Sequence, residues 1–223
     1  MHFFCRNFVD KKESYMNFKA ALFDLDGVVF DTETQYTKFW GEQGRRYHPE
    51  MPDFHNRIKG MTLVQIYDQH FAGQTEVQQT ITQALNDFEA HMSYDYIAGA
   101  HDYVVSLRQQ GIKTAVVTSS NLAKMSQVYR QHPDFKSLFN AVLTSEDIRR
   151  SKPAPDGYLQ AAELLGEAPA DCVGFEDSVN GMRSIKAAGI YLVGLVTTNP
   201  REVVAQYADV MIDDFTHGVD IKQ

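Results

Sequence analysis

Residues 18–27 read FKAALFDLDG, an apolar run closed by two aspartates and a glycine. A strand with one wet face alternates apolar and polar side chains, so a run this continuous suits a strand buried on both faces of a parallel sheet. Similar runs follow at 113–120 (KTAVVTSS), 140–147 (NAVLTSED), 171–178 (DCVGFEDS), 190–197 (IYLVGLVT) and 209–215 (DVMIDDF). Helical patterns lie between them at 100–110, 122–131, 156–165 and 179–188. The first and last of these are closed by Gly111 and Gly189, where a left-handed residue ends a helix. Strands and helices that alternate in this way predict an α/β fold with a doubly wound parallel sheet.

The alternation is broken once. Residues 32–97 hold no strand run but show helical patterns at 34–43, 63–71 and 76–92, separated by a loop around Pro49 and Pro52 and by Gly73. An insertion of that length directly after the first strand is too long for a βα connection. It predicts a helical cap at 32–97 set into a core made of 18–31 and 98–223. Met16 immediately precedes the first strand, so residues 1–17 are expected to be an N-terminal extension outside the fold.

The 223 residues carry 21 Lys and Arg against 29 Asp and Glu, a net charge of -8, which opposes nucleic acid or an anionic membrane as the main partner. Cys5 and Cys172 are too few for a disulfide framework and lack metal-type spacing. No apolar stretch approaches a membrane span, and the first residues lack the order of a secretory signal. A cytoplasmic monomer acting on a small molecule is the expectation.

In open α/β sheets ligands bind at the carboxyl ends of the strands. There the sequence places Asp24 and Asp26 after the first strand, Thr118, Ser119 and Ser120 after the second, Lys152 beyond the third, and Glu176 and Asp177 after the fourth. Carboxylates crowded in one cleft repel unless a cation sits among them, and hard oxygen ligands favour Mg²⁺. A threonine hydroxyl and a lysine ammonium beside them suit phosphoryl oxygens whose charge shifts during transfer. The constellation points to metal-assisted phosphoryl transfer.

Four segments, DLDGVVFDTE (24–33), VVTSS (116–120), SKPAPDGY (151–158) and GFEDSVNGMRSIKAAG (174–189), resemble the four motifs of the haloacid dehalogenase-like superfamily. They are most similar to the branch that contains β-phosphoglucomutases and small sugar phosphatases. The resemblance implies a Rossmann-like, flavodoxin-type core with an inserted α-helical cap. It implies that Asp24 is a nucleophile forming an aspartyl-phosphate and that Asp26 is the general acid and base. Mg²⁺ would be held by the Asp24 carboxylate, the Asp26 backbone carbonyl and Asp177, with Glu176 a further participant. Thr118, Ser119, Ser120 and Lys152 would bind the substrate phosphate, and Lys59 of the cap would touch the substrate's polar groups.

Simpler roles compete for some of these positions. Asp177 could cap the helix that follows, although Ser178 is better placed to do so. Asp31, Asp147, Asp213 and Asp214 are read as structural, the eight histidines as packing, and Tyr36, Phe39 and Trp40 as cap core, with Tyr36 nearest the hinge. Two cap positions depart from the mutases of this branch: Tyr36 stands where they have a histidine and Leu63 where they have an arginine. The expectation is therefore a Mg²⁺-dependent phosphatase acting on a small phosphorylated metabolite such as a sugar phosphate. A β-phosphoglucomutase-type mutase is the alternative. A phospho-accepting signalling module is disfavoured by the helical insertion and by Asp26.

Overall fold

The computed structural model describes residues 18–217 and 219; the expected N-terminal extension and Cys5 lie outside them. Strand β1 (Ala20–Phe23) pairs in parallel with β2 (Lys113–Val117) on one side and β4 (Cys172–Glu176) on the other. With β3 (Ala141–Leu143), β5 (Tyr191–Leu195) and β6 (Val210–Ile212) the six strands run in the order β3-β2-β1-β4-β5-β6, all parallel. The chain moves outward from β1 to β3 and then crosses back to lay β4 against the other edge of β1. The topology therefore switches at the carboxyl end of β1.

The central strand shows why an unbroken apolar run was needed. Alternate side chains face opposite ways, so Ala21 and Phe23 enter one buried cluster with Phe175 and Phe215, while Ala20 and Leu22 enter another with Tyr158 and Ile185. Phe23 and Phe175 are register partners on neighbouring strands, and their rings stack at 4.5 Å. Helices α5 (Ala100–Gln109) and α6 (Leu122–Gln131) cover the first face; α8 (Asp156–Leu165) and α9 (Val179–Ala187) cover the second.

Helices α1 (Glu33–Tyr47), α2 (Phe54–Arg57), α3 (Leu63–His70) and α4 (Thr75–His91) gather Phe39, Trp40, Phe54, Phe71 and Ile81 into a third cluster of their own. The two connecting segments run side by side: Asp31 N–H donates to the Asp95 carbonyl and Ile97 N–H to that of Val29. Among the described residues no helix is long and apolar enough to cross a membrane.

Three departures from the sequence reading have physical causes. Helix α1 runs through Gly44 to Tyr47, beyond the expected end at 43, because Phe54 packs on Gly44: a Cβ there would lie 2.9 Å from the Cβ of Phe54. Helices α2, α7 (Phe135–Leu138) and α10 (Arg201–Val204) are four residues each, too short to show a helical period. β6 covers only 210–212, since the aspartates after it turn to local partners: Asp213 pairs with Arg201, and Asp214 accepts from Thr216.

Gly194 on β5 lies directly beneath α10, where an added Cβ would stand 2.4 Å from Val204 Cγ1 and 2.7 Å from Ala208 Cβ. Overpacking of this kind costs about 1–3 kcal/mol. Gly194→Ala is expected to lower the urea midpoint without changing the slope of the transition; an unchanged midpoint would show that the α10 layer yields freely.

Candidate active site

Asp24 is the first residue beyond β1. Its N–H donates to the Phe175 carbonyl at 3.0 Å, which continues the β1–β4 ladder and sets its side chain beside that of Glu176. The Lys152 ammonium lies between them, 2.7 Å from Asp24 Oδ1 and 2.5 Å from Glu176 Oε1. Lys152 is 4 % exposed and Glu176 fully buried. Tyr158 donates to the same Glu176 oxygen at 3.2 Å, while Oε2 accepts from the backbone N–H of Asp177 and Ser178 and from the Ser178 hydroxyl. Ser178 caps α9, as its position suggested, with its oxygen accepting from Gly181 N–H.

Asp177 differs from its neighbour. Both of its carboxylate oxygens are buried, and among the described residues neither meets a donor in hydrogen-bond geometry, although the Thr198 hydroxyl lies close enough to pull its pKa down somewhat. Burial, and after it Glu176, Glu33 and Asp24, push its pKa well above the ordinary carboxylate range. Burial also raises Asp24 to about 7, with Lys152 opposing and Glu176 and Asp26 adding to the shift. Burial pulls the Lys152 pKa down, but Asp24 and Glu176 outweigh it and hold it above its ordinary value. Asp24, Glu176 and Asp177 offer oxygens within 4.8 Å of one another. One ammonium among three carboxylates leaves the cluster short of positive charge. The bare oxygens of Asp177 and the second oxygen of Asp24 fit a hard divalent cation. Glu176, its oxygens already engaged, orients the others.

The loop to Asp26 turns through Gly27 at φ +73°, where a Cβ would lie 2.1 Å from Asp177 Oδ2, so glycine is required on two counts. Beyond that turn Asp26 meets a separate set of partners. Thr32 Oγ1 donates to its Oδ1 at 2.5 Å, Ser120 Oγ to its Oδ2 at 3.0 Å, and the Lys124 ammonium bridges both oxygens. Burial pushes the Asp26 pKa up, but the Lys124 pair and the hydroxyl donors outweigh it and hold the carboxyl below its ordinary value.

A cavity of about 560 Å³ opens above these residues, walled on the core side by Asp24, Asp26, Thr118 and Asp177 and on the cap side by Glu33, Tyr36, Lys59 and Leu63. Three hydrogen bonds beside the cavity join cap and core: Ser119 Oγ donates to the Gly60 carbonyl and Asn180 Nδ2 to that of Lys59 in the cap loop, and Gln65 Nε2 of α3 donates to that of Lys152. Thr118 is buried at the cavity floor and accepts from Ser120 N–H, while Ser120 turns its hydroxyl to Asp26. The Lys59 ammonium lies 3.6 Å from Glu33, whose pKa burial, with the charge of Asp26, raises to about 6. Residues that the sequence reading passed over are Thr32, Glu33, Glu89 and Lys124. For Lys124 a signal existed: it stands four residues before Val128 on the buried face of α6, an odd place for a lysine. Of the aspartates read as structural, Asp147 accepts from Thr144 N–H and Oγ1, Asp213 from Arg201, and Asp214 from Thr216.

A model of the haloacid dehalogenase-like hydrolases matches residues 18–189. The chain is 31% identical over 207 residues to validoxylamine A 7'-phosphate phosphatase of Streptomyces hygroscopicus subsp. limoneus, covering 89% of this chain and 95% of that protein. It is 28% identical to the β-phosphoglucomutase of Bacillus subtilis (strain 168), covering 87% and 92%. The crystal structure of a HAD hydrolase, family IA, variant 3, from Entamoeba histolytica HM-1:IMSS superposes with a TM-score of 0.77 at 20% identity, over 90% of this chain and 95% of that one, and shows the shared fold.

Buried carboxylates that repel one another in the absence of a cation make a stability prediction. Asp177→Asn removes a carboxyl that on folding must either take up a proton or stay ionised among its neighbours, a cost to stability at neutral pH, so in excess chelator the variant is expected to melt above the wild type. Added Mg²⁺ should stabilise the wild type by mass action and leave the variant nearly unmoved. Equal responses of the two proteins to Mg²⁺ would remove Asp177 from the metal site.

Proposed function

The chain belongs to the haloacid dehalogenase-like hydrolases, and on that premise we propose that it is a Mg²⁺-dependent phosphatase that hydrolyses a small phosphate monoester, a sugar phosphate by preference, through an aspartyl-phosphate. In this reading Asp24 is the nucleophile, Asp26 the acid and base, and residues 32–97 the cap that covers the substrate. Bound to Asp24, Asp177 and the Asp26 carbonyl, Mg²⁺ would neutralise charge on the phosphoryl oxygens.

Oδ1 of Asp24, the oxygen that Lys152 holds and the metal would leave open, attacks phosphorus, and the bond to the substrate oxygen breaks as Asp26, having first taken up a proton, gives it to that oxygen. Water then attacks the phosphorus of the aspartyl-phosphate while Asp26 takes its proton; the bond to Asp24 breaks, and phosphate leaves with both side chains restored. Splitting one displacement into two is the gain from a covalent route, and a positioned acid and base contributes about 10²- to 10⁴-fold. Lys152 keeps Asp24 aimed, and Thr118 and the Lys152 ammonium offer donors to the phosphoryl oxygens.

Water rather than a second sugar is the acceptor in this reading, and the cavity wall carries the argument. A mutase has to hold a sugar hydroxyl against the intermediate better than water, which requires oriented donors. Leu63 presents hydrocarbon to the cavity, and the Tyr36 hydroxyl is already donated to Glu89 Oε1 at 2.8 Å. The 31% identity to a phosphatase acting on a phosphorylated metabolite agrees with this choice.

A phosphate-release screen over sugar phosphates, phosphoglycolate, nucleoside monophosphates and pyrophosphate tests the reading. Mg²⁺-dependent release is expected from at least one sugar phosphate, and Asp24→Asn should lower turnover by about 10³-fold or more. In parallel, β-glucose 1-phosphate with catalytic glucose 1,6-bisphosphate should give glucose 6-phosphate more slowly than the best substrate gives phosphate. The reverse order would make the protein a mutase.

A further inference from the structure

Lys124 is an ammonium that the proposed chemistry does not use. It is 2 % exposed, yet it borders the cavity from the core side. Its Nζ bridges both oxygens of Asp26 and stands 4.6 Å from the centroid of the Tyr36 ring, whose hydroxyl is tied to Glu89 on α4. Burying a lysine is costly unless it is paired, and a methionine would fill the inner face of α6 equally well.

The bonding of Asp26 supplies the use. A carboxylate has about four acceptor positions. Thr32 and Lys124 occupy those of Oδ1, and Ser120 and Lys124 those of Oδ2. Asp26 can therefore meet a reacting oxygen only when one donor gives way. All four bonds end on a charged acceptor, but only the Lys124 ammonium adds the attraction of a full opposite charge at low exposure, so Thr32 or Ser120 yields first and Lys124 remains.

We propose that Lys124 is a positioning residue: it is the fixed pivot on which the Asp26 carboxylate exchanges a hydroxyl partner for the leaving oxygen and then for the attacking water. The Tyr36 ring, 4.6 Å from the ammonium, adds a second attraction that helps to hold Lys124 in place. This proposal rests on the phosphatase reading of the site.

p-Nitrophenyl phosphate separates the two half-reactions, because its phenolate leaves without a proton from Asp26, whereas the attack of water on the aspartyl-phosphate still requires Asp26 as base. With Lys124→Met, steady turnover is expected to fall by about 10²-fold, while the first release of nitrophenolate in a stopped-flow burst falls by less than about tenfold. The burst should approach one nitrophenolate per enzyme, and KM should drop as the covalent intermediate accumulates. Lys124→Arg, which retains the charge, should recover at least about tenfold of the lost turnover. If Lys124→Met does not fold, Lys124→Gln carries the same test, since it keeps a polar end that reaches only one oxygen.

A burst and a steady rate that fall together in a folded variant would overturn the proposal. So would an unchanged enzyme, an arginine variant no better than methionine, or a raised KM at unchanged kcat, which would make Lys124 a substrate contact. A wild type that releases phosphate from no ester fails the phosphatase reading itself, and the pivot falls with it.

Discussion

Asp24 and Glu176 end adjacent parallel strands, and the Lys152 ammonium holds them together across the β1–β4 pair. Without that ammonium two buried carboxylates would face each other in a low dielectric. Breaking such a buried pair by removing one partner costs about 3–5 kcal/mol. Much else is arranged around it. Glu176 uses its second oxygen to fix the start of α9 through Asp177 N–H and Ser178 N–H. That fixing leaves the Asp177 side chain aimed into the cluster with no donor in hydrogen-bond geometry among the described residues. Gly181 on the first turn of α9 leaves room for the Glu176 carboxylate, which a side chain there would meet at 1.6 Å.

Two aspartates separated by one residue would share one environment on a regular strand face. Here they do not, because the ladder of hydrogen bonds reaches Asp24 and goes no further. Asp24 belongs to the ladder and to Lys152; Asp26 lies past it, turned by the left-handed Gly27 toward Thr32, Ser120 and Lys124. Each carboxylate thus has a buried lysine of its own, and the two are driven in opposite directions, Asp24 up to about 7 and Asp26 below its usual value. These shifts run against the proposed roles, which need Asp24 ionised and Asp26 protonated at the first step: a divalent cation on Asp24 would lower its pKa, and loss of a hydroxyl donor from Asp26 would raise that of the acid.

The parts of this arrangement that the sequence makes legible are those written in runs. Residues 20–23 read as a strand buried on both faces because every side chain there is apolar, and the acids that end the strands read as a cleft because parallel topology sends all carboxyl ends to one edge. Pairings across the chain were not legible. Nothing local says that Ser119 donates to a carbonyl of the cap loop or that Ser120 turns to Asp26, since a hydroxyl serves a phosphate, a carboxylate or a backbone equally well. Lys124 stood in view on the inner stripe of α6, but its partner lies 98 positions away. Amphipathic period places a residue on a face and leaves its partner open.

The docking of the cap follows a related logic. The three hydrogen bonds that join cap and core beside the cavity end on backbone carbonyls, those of Lys59, Gly60 and Lys152. Where the cap supplies the carbonyl, at Lys59 and Gly60, the acceptor is present whatever the side chain, so the docking does not depend on the Lys59 side chain; at Gln65 the cap supplies the donor and the side chain is needed. Gly60 is restricted as well: at φ +74°, and with a Cβ position 2.6 Å from Ser178 Oγ, it is held to glycine by the closeness of the approach. The neighbouring Lys59 and Leu63 face the cavity under no such restriction. A cap built in this way can change its substrate through side chains while the charged floor beneath it, fixed by Lys152 and its carboxylates, keeps the same chemistry.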